Sequence, residues 1–151
     1  MLNIYNYCKE LRLIRYSEDM HLKSFLGCAY SFDEVINFEN GKDDITTYTL
    51  RKYINCITYF KLGYEIFYLI NDQKFTRKCF LSTELLNLRN KQGIERCDMI
   101  NLASITKTEM FMSENISGTC KLSTISKICN VLKANFKYGL KCPNGLIVYS
   151  K

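Results

Sequence analysis

Apolar positions along this chain recur first at helical spacing and then at strand spacing, and the whole progression happens twice. From Asn3 to Ile14 the residues Tyr7, Leu11 and Ile14 share one side of a helix, with Lys9 and Arg12 turned toward solvent. Leu22, Phe25 and Leu26 follow at i, i+3, i+4, with Ser17 placed to cap that second helix. Ser31 to Asn40 predicts a third helix with Val35 and Phe38 inward. Thr46 or Thr47 opens a fourth, whose stripe is Leu50, Tyr53, Ile54 and Ile57. The period then changes. Tyr64 to Ile70 is aromatic and β-branched, Asn71-Asp72-Gln73 is a turn signal, and Lys74 to Phe80 alternates as a returning strand.

Ser82 then stands where it can cap a fifth helix ahead of Glu84 and Leu85, and the order begins again. Met99, Leu102 and Ala103 are expected to face inward, and a tight turn is expected at Ser104 and Ile105. Thr106 can cap the next helix, and a loop runs from Asn115 to Lys121. Leu122, Ile125, Ile128, Cys129 and Leu132 form the last helical stripe. Phe136 to Lys141 and Leu146 to Ser150 then predict strands about the turn Cys142-Pro143-Asn144-Gly145.

A shift of 75 residues superposes much of the two halves. Leu11 and Leu13 fall on Leu86 and Leu88, Glu39-Asn40 on Glu114-Asn115, and Thr49, Lys52 and Asn55 on Thr124, Lys127 and Asn130. The second helix of the first half fits only at a shift of 77, with Gly27 and Cys28 as two extra residues after it. The expected fold class is therefore mainly α with a small β component: residues 1–80 with a hairpin at about 64–80, and residues 81–151 with a hairpin at about 136–150. An isolated hairpin is marginal in water, so the two are expected to pair with each other, in one chain or across a dimer, the alternative being that each folds over its own helices. No Gly, Ser or Pro-rich linker separates the halves, which implies a fixed relation between them.

The stretch from Leu88 to Leu132 resembles a lambda-repressor-like helix-turn-helix domain of the XRE family, and the first half resembles it more loosely. In that family the first helix ends in a basic glycine turn, here Arg89, Lys91 and Gly93. The resemblance implies two tandem four-helix helix-turn-helix units, with double-stranded DNA as the partner. In the second unit it puts base contacts at Lys107, Thr108, Glu109 and Met112 on a helix capped by Thr106. It adds Arg96 at the start of the preceding helix, Arg89 and Lys91 near the backbone, and Asn115 and Ser117 at phosphate. These residue types suit the task, since Lys donates to guanine, Thr offers thymine a methyl and Glu accepts from cytosine. In the first unit the corresponding contacts are Ser31, Asn37, Asn40 and Lys42, but Glu18 and Asp19 would face phosphate and oppose binding. There Phe32, Asp33 and Glu34 become a candidate protein-binding face. Ser104 stands where the family often has Gly, and Glu95 where it has Ser or Thr.

Charge sharpens this picture. Residues 1–75 hold 9 Lys and Arg against 10 Asp and Glu, net −1, whereas residues 76–151 hold 12 against 5, net +7. The two halves are expected to touch different things. A hydrophobic fraction of 47% argues against disorder. The opening MLNIYNYCKE has no basic start or long apolar run, and no stretch approaches about 20 apolar residues, so neither a secretory leader nor a membrane span is expected, and the expected compartment is the cytoplasm. The eight cysteines contain no C-x-x-C and do not recur at equivalent places in the halves. They are read as reduced thiols packed as small apolar residues. With His21 the only histidine and no Gly-rich phosphate loop, no metal, cofactor or enzymatic activity is expected.

The expectation is a sequence-specific DNA-binding transcriptional regulator, a repressor of the phage or mobile-element kind, acting as a homodimer or as a pseudo-dimer within one chain. Two alternatives remain open on the sequence. One is an anti-CRISPR-type inhibitor that binds a nuclease through the acidic half and regulates its own promoter. The other is an antitoxin of the HipB type.

Overall fold

The computed structural model describes residues 4–17, 21, 31–41, 45–60, 63–75, 82–115 and 118–149. Helix α1 (Ile4–Ser17) buries Cys8, Leu11 and Ile14 along one stripe. Helix α2 (Phe32–Glu39) begins on Ser31, whose side chain accepts from the Glu34 amide while Glu34 reaches back to the Ser31 amide. This capping box satisfies two amides that the helix itself leaves without partners. Helix α3 (Thr47–Phe60) carries Leu50, Tyr53, Ile54 and Ile57 at the expected spacing, none more than 1% exposed. Strands β1 (Glu65–Ile70) and β2 (Gln73–Phe75) are joined by Asn71 and Asp72, both with positive φ, as a two-residue hairpin turn with the sheet's own twist requires.

The second half follows with α4 (Ser82–Lys91), α5 (Arg96–Ala103), α6 (Lys107–Glu114), α7 (Leu122–Val131), β3 (Phe136–Lys141) and β4 (Ile147–Tyr149). The α7 stripe of Leu122, Ile125, Ile128 and Cys129, with Leu132 at its C-cap, is buried as the periodicity predicts. Thr106 caps α6 through a second capping box with Glu109. Of the six described cysteines none is in a disulfide, and all but Cys97 are buried. Burial pushes the Cys8 and Cys129 thiols up to about 12, so both pack as neutral groups.

Several expectations need correcting. Ser17 is the last residue of α1, with its hydroxyl donating to the Ile14 carbonyl at 2.9 Å, and the helix it was expected to cap lies outside the described residues. Ser82 lies inside α4 and is buried. Leu102 is 63% exposed, because α5 meets the core along the side that carries Met99 and Ala103, with Ile100 partly buried beside them. Leu13 is exposed as well. The first helices correspond at a shift of 74, Leu11 with Leu85 and Arg15 with Arg89, because each Arg is anchored by the Glu ending its own half's α2 or α6. The expected helix at Leu22, Phe25 and Leu26 lies outside the described residues.

The two hairpins join in one four-stranded antiparallel sheet of order β2-β1-β3-β4. The pairing of β1 with β3 runs from Glu65 opposite Lys141 to Ile70 opposite Phe136, with Tyr68 opposite Tyr138. On the face carrying these tyrosines, Tyr68 stacks on Phe75 at 5.4 Å and Phe136 meets Tyr138 edge-on at 4.9 Å. On the other face the Phe67 ring lies across Gly139, where a Cβ would overlap it. A second junction lies at the start of the closing helices, where Thr46 bridges Lys121. There the Thr47 amide donates to the Cys120 carbonyl and the Leu122 amide to the Ile45 carbonyl, each at 2.8 Å. One buried cluster runs through both halves. No described helix is long and apolar enough to cross a membrane.

Candidate nucleic-acid interface

The site is built around the corner between α5 and α6. Ser104 closes α5 in the left-handed region with φ at 50°, the conformation for which glycine is usually chosen, and its amide donates back to the Asn101 carbonyl. Ile105 is buried beneath the turn and Thr106 caps the next helix, so the second helix leaves at an angle fixed by packing on one side and hydrogen bonds on the other. On α6, Met110 and Ser113 face inward, while Lys107, Thr108 and Phe111 face solvent and Met112 is half-buried. Lys107, Thr108, Phe111 and Met112 are spaced i, i+1, i+4, i+5 and form one outward face.

An ion pair behind this face holds the corner in place. The Arg89 guanidinium donates twice to the Glu114 carboxylate, at 2.5 and 3.1 Å, and once to the Ile94 carbonyl at 2.6 Å. Arg96, at the first position of α5, donates to the same carboxylate at 2.8 Å. Glu114 thus ties the ends of α4 and α6 to the start of α5. Burial pushes its carboxyl up, but the bonds from Arg89 and Arg96 outweigh this and hold it below the usual carboxylate range. Arg89, Asn90, Gly93, Ile94, Glu95 and Arg96 line an open cleft of about 300 Å³ at the N-terminus of α5.

These facts sort the residues singled out in the sequence. Lys91, Arg96, Lys107 and Thr108 are solvent-facing, and Thr106 does the capping expected of it. Arg89 is only 7% exposed and spends its donors inside the protein, which takes it off the surface a duplex could meet. Glu109 is also committed: one carboxylate oxygen accepts from the Thr106 amide and the other from the Thr124 hydroxyl at 3.0 Å. Those bonds, the first above all, hold its carboxyl below the usual range, and neither oxygen is free to read a base. Asn115 is half-buried at the end of α6, and Ser117 lies outside the described residues.

In the first half Ser31 is the N-cap, Asp33 and Glu34 are exposed, and Asn37 and Asn40 are half-buried. Glu34 is engaged in the capping box. Lys42, Glu18 and Asp19 and the Phe32 side chain lie outside the described residues. Here too a buried ion pair stands behind the helix: Arg15 donates to Glu39 at 2.5 and 3.0 Å, the same two-pronged arrangement as Arg89 on Glu114. The Tyr53 hydroxyl adds a third bond to Glu39 at 2.7 Å, and burial, with Glu39 beside it, raises the phenol further.

Sequence reasoning passed over three features. Phe111 is 58% exposed in the middle of the outward face, and its distance of four residues from Lys107 was the available signal. The Arg15–Glu39 and Arg89–Glu114 pairs could have been sought among the acids and bases that recur in both halves. The Glu109–Thr124 bond has no sequence signal, because it joins two helices across a loop. Comparison with protein-family models, with curated proteins and with solved structures returns no match.

Proposed function

We propose that the protein is a sequence-specific DNA-binding regulator of transcription, with α5 and α6 acting as a helix-turn-helix and α6 as the helix that enters the major groove. The observation that carries this reading is the outward face of α6. Lys107, Thr108 and Phe111 project from a helix fixed by a left-handed corner and a capping box, in the half of the chain with net charge +7. Lys107 can donate to guanine O6 and N7, while Thr108 and the Phe111 ring offer apolar contact to thymine methyl groups. Lys91 and Arg96 supply cations for phosphate on either side of the α5 N-terminus, whose free amides also favour an anion.

The test is a mobility-shift assay on duplexes selected from random DNA. Lys107→Glu and Arg96→Glu are expected to weaken binding far more than Asp33→Lys, with the loss largest at low salt and narrowing as salt rises. The opposite order would reject the reading.

A further inference from the structure

The two junctions between the halves have a property that neither half has alone. At the first, Thr46 bridges Lys121 antiparallel, and these residues are equivalent at the 75-residue repeat. The flanking bonds are reciprocal: Thr47 donates to Cys120 and Leu122 donates to Ile45, so exchanging each residue for its equivalent turns one bond into the other. At the second, β1 and β3 pair antiparallel about Tyr68 and Tyr138, and each carries its own hairpin partner on its outer side. An antiparallel pairing of equivalent segments is what a two-fold axis between them produces. Two such pairings, one between closing helices and one between strands, put one pseudo-dyad through both. Within the halves the matched pairs Arg15–Glu39 and Arg89–Glu114, and the capping boxes on Ser31 and Thr106, show that what the axis relates is alike on both sides.

A two-fold rotation leaves unchanged the component of any direction along its axis. Whatever tilt the outward face of α6 has toward one end of the axis, α2 therefore has toward the same end. Duplex DNA has dyads of its own, and a protein with a dyad normally meets it with the two aligned. Homodimeric binders obtain that symmetry from two chains; here six paired positions in the sheet and the reciprocal bridge build it into one.

Resting on the DNA-binding reading above, we infer that a single chain is the complete two-headed unit. It engages one duplex as a monomer, α6 on one half-site and α2 on the other, and its operator is a pseudo-palindrome with two chemically unlike halves. The unlikeness follows from the residues at equivalent places. Lys107, Thr108 and Met112 on α6 stand where α2 has Phe32, Asp33 and Asn37. Asn37 is suited to the N6 and N7 edge of adenine and Asp33 to the amino group of cytosine, whereas the α6 set is suited to guanine and thymine. The half of net charge −1 supplies less phosphate attraction, so its half-site contributes discrimination more than affinity.

The experiment combines stoichiometry with footprinting on a selected duplex. Light scattering or sedimentation is expected to find one chain per duplex, and hydroxyl-radical protection is expected over two segments about one helical turn apart. Lys107→Ala, a solvent-facing change, should weaken protection of one segment with a loss on the order of tenfold in affinity, and Asn37→Ala should weaken the other by less. Circular dichroism of both variants checks that the fold is retained. Two chains per duplex with Lys107→Ala weakening both segments equally would overturn the inference while leaving the DNA reading standing. Protection of one segment only, with Asn37→Ala silent, would overturn it too and leave the first half to a protein partner. Absence of salt-dependent binding to every duplex would remove both.

Discussion

The two halves keep the same internal scaffold and present different surfaces. Each has an Arg on its first helix forked onto a Glu at the end of a capped eight-residue helix, and each has a buried closing stripe. At equivalent surface positions they part. Leu13, Tyr16 and Tyr48 are at least half exposed in the first half, and Asn87, Asn90 and Ser123 stand at those places in the second. Asp33 stands where the second half has Thr108. What repeats is what holds the short helices at their angles, and what differs is what a partner would meet. The first half shows aromatic rings flanked by cations, with Arg12 and Arg15 over Tyr16 and Arg51 near Tyr48, while the second shows an outward helix face on which Lys107 and Thr108 accompany Phe111.

The comparison is sharpest at the ion pairs, where the largest effects are expected. Glu39 accepts from Arg15 and from the Tyr53 hydroxyl, both at most 3% exposed, so its removal takes a carboxylate away from a buried cation and a buried phenol at once. Glu39→Ala should cost about 3–5 kcal/mol, read as a fall in Tm on the order of 10 °C for a chain of this length. Glu114→Ala should cost less, because Arg89 retains the Ile94 carbonyl and Arg96 already faces solvent. Equal losses in thermal unfolding would show that the two pairs are interchangeable and the difference between the halves only superficial.

At the seam between the halves, Gly139→Val puts a branched side chain where the Phe67 ring lies. Overpacking of this kind costs about 1–3 kcal/mol. Because Gly139 belongs to the central strand pair, the loss should appear as one cooperative transition with a lowered denaturant midpoint. Separate melting of the two halves would break the picture of a shared sheet.

Acid should weaken the second half's ion pair. The Glu114 carboxyl is held below its ordinary value in the folded chain, so its contribution is complete above about pH 4.5 and is lost as pH falls through the folded value. Glu114→Gln is therefore expected to flatten the stability profile below about pH 4.5 while lowering stability at neutral pH. A variant with an unchanged acid limb would show that the pair does not govern acid unfolding.

Much of the fold was legible in the sequence, for reasons visible residue by residue. Leu50, Tyr53, Ile54 and Ile57 repeat at helical spacing over a long enough run to have one reading, and Ser31 and Thr106 each stand three residues before a Glu. Pairing of the hairpins with each other followed from the instability of a lone hairpin. Short helices were less legible. In an eight-residue helix such as α5, Met99 and Ala103 suffice to anchor it, so periodicity alone could not tell that Leu102 would face outward. Of the first hairpin's expected return strand only the part up to Phe75 is described, and residues 76–80 lie outside the described residues. In the candidate site, exposed positions were found by pattern, but Arg89 and Glu109 were assigned outward roles because their internal partners, Glu114 and Thr124, lie 25 and 15 residues away.

The smallest expected effect separates the two capping boxes and bears on the reading of α6. Glu34 closes its box at the surface, whereas Glu109 closes its box and also accepts from Thr124, which is 1% exposed. Removing Glu34 costs a cap interaction, about 0.5–1 kcal/mol, whereas removing Glu109 also leaves a buried hydroxyl without its acceptor, for a total of about 1–2 kcal/mol. Glu34→Ala and Glu109→Ala should therefore differ modestly in denaturant midpoint, with the second the less stable. The same pair tests recognition, because a Glu reading cytosine would change the preferred base at one position when truncated, whereas a Glu engaged in capping would lower affinity across all sequences alike. Uniform weakening of selected duplexes by Glu109→Ala would assign the carboxylate to the helix frame. A changed preference at a single base pair would return it to the groove and show that its bonds to Thr106 and Thr124 are given up on binding.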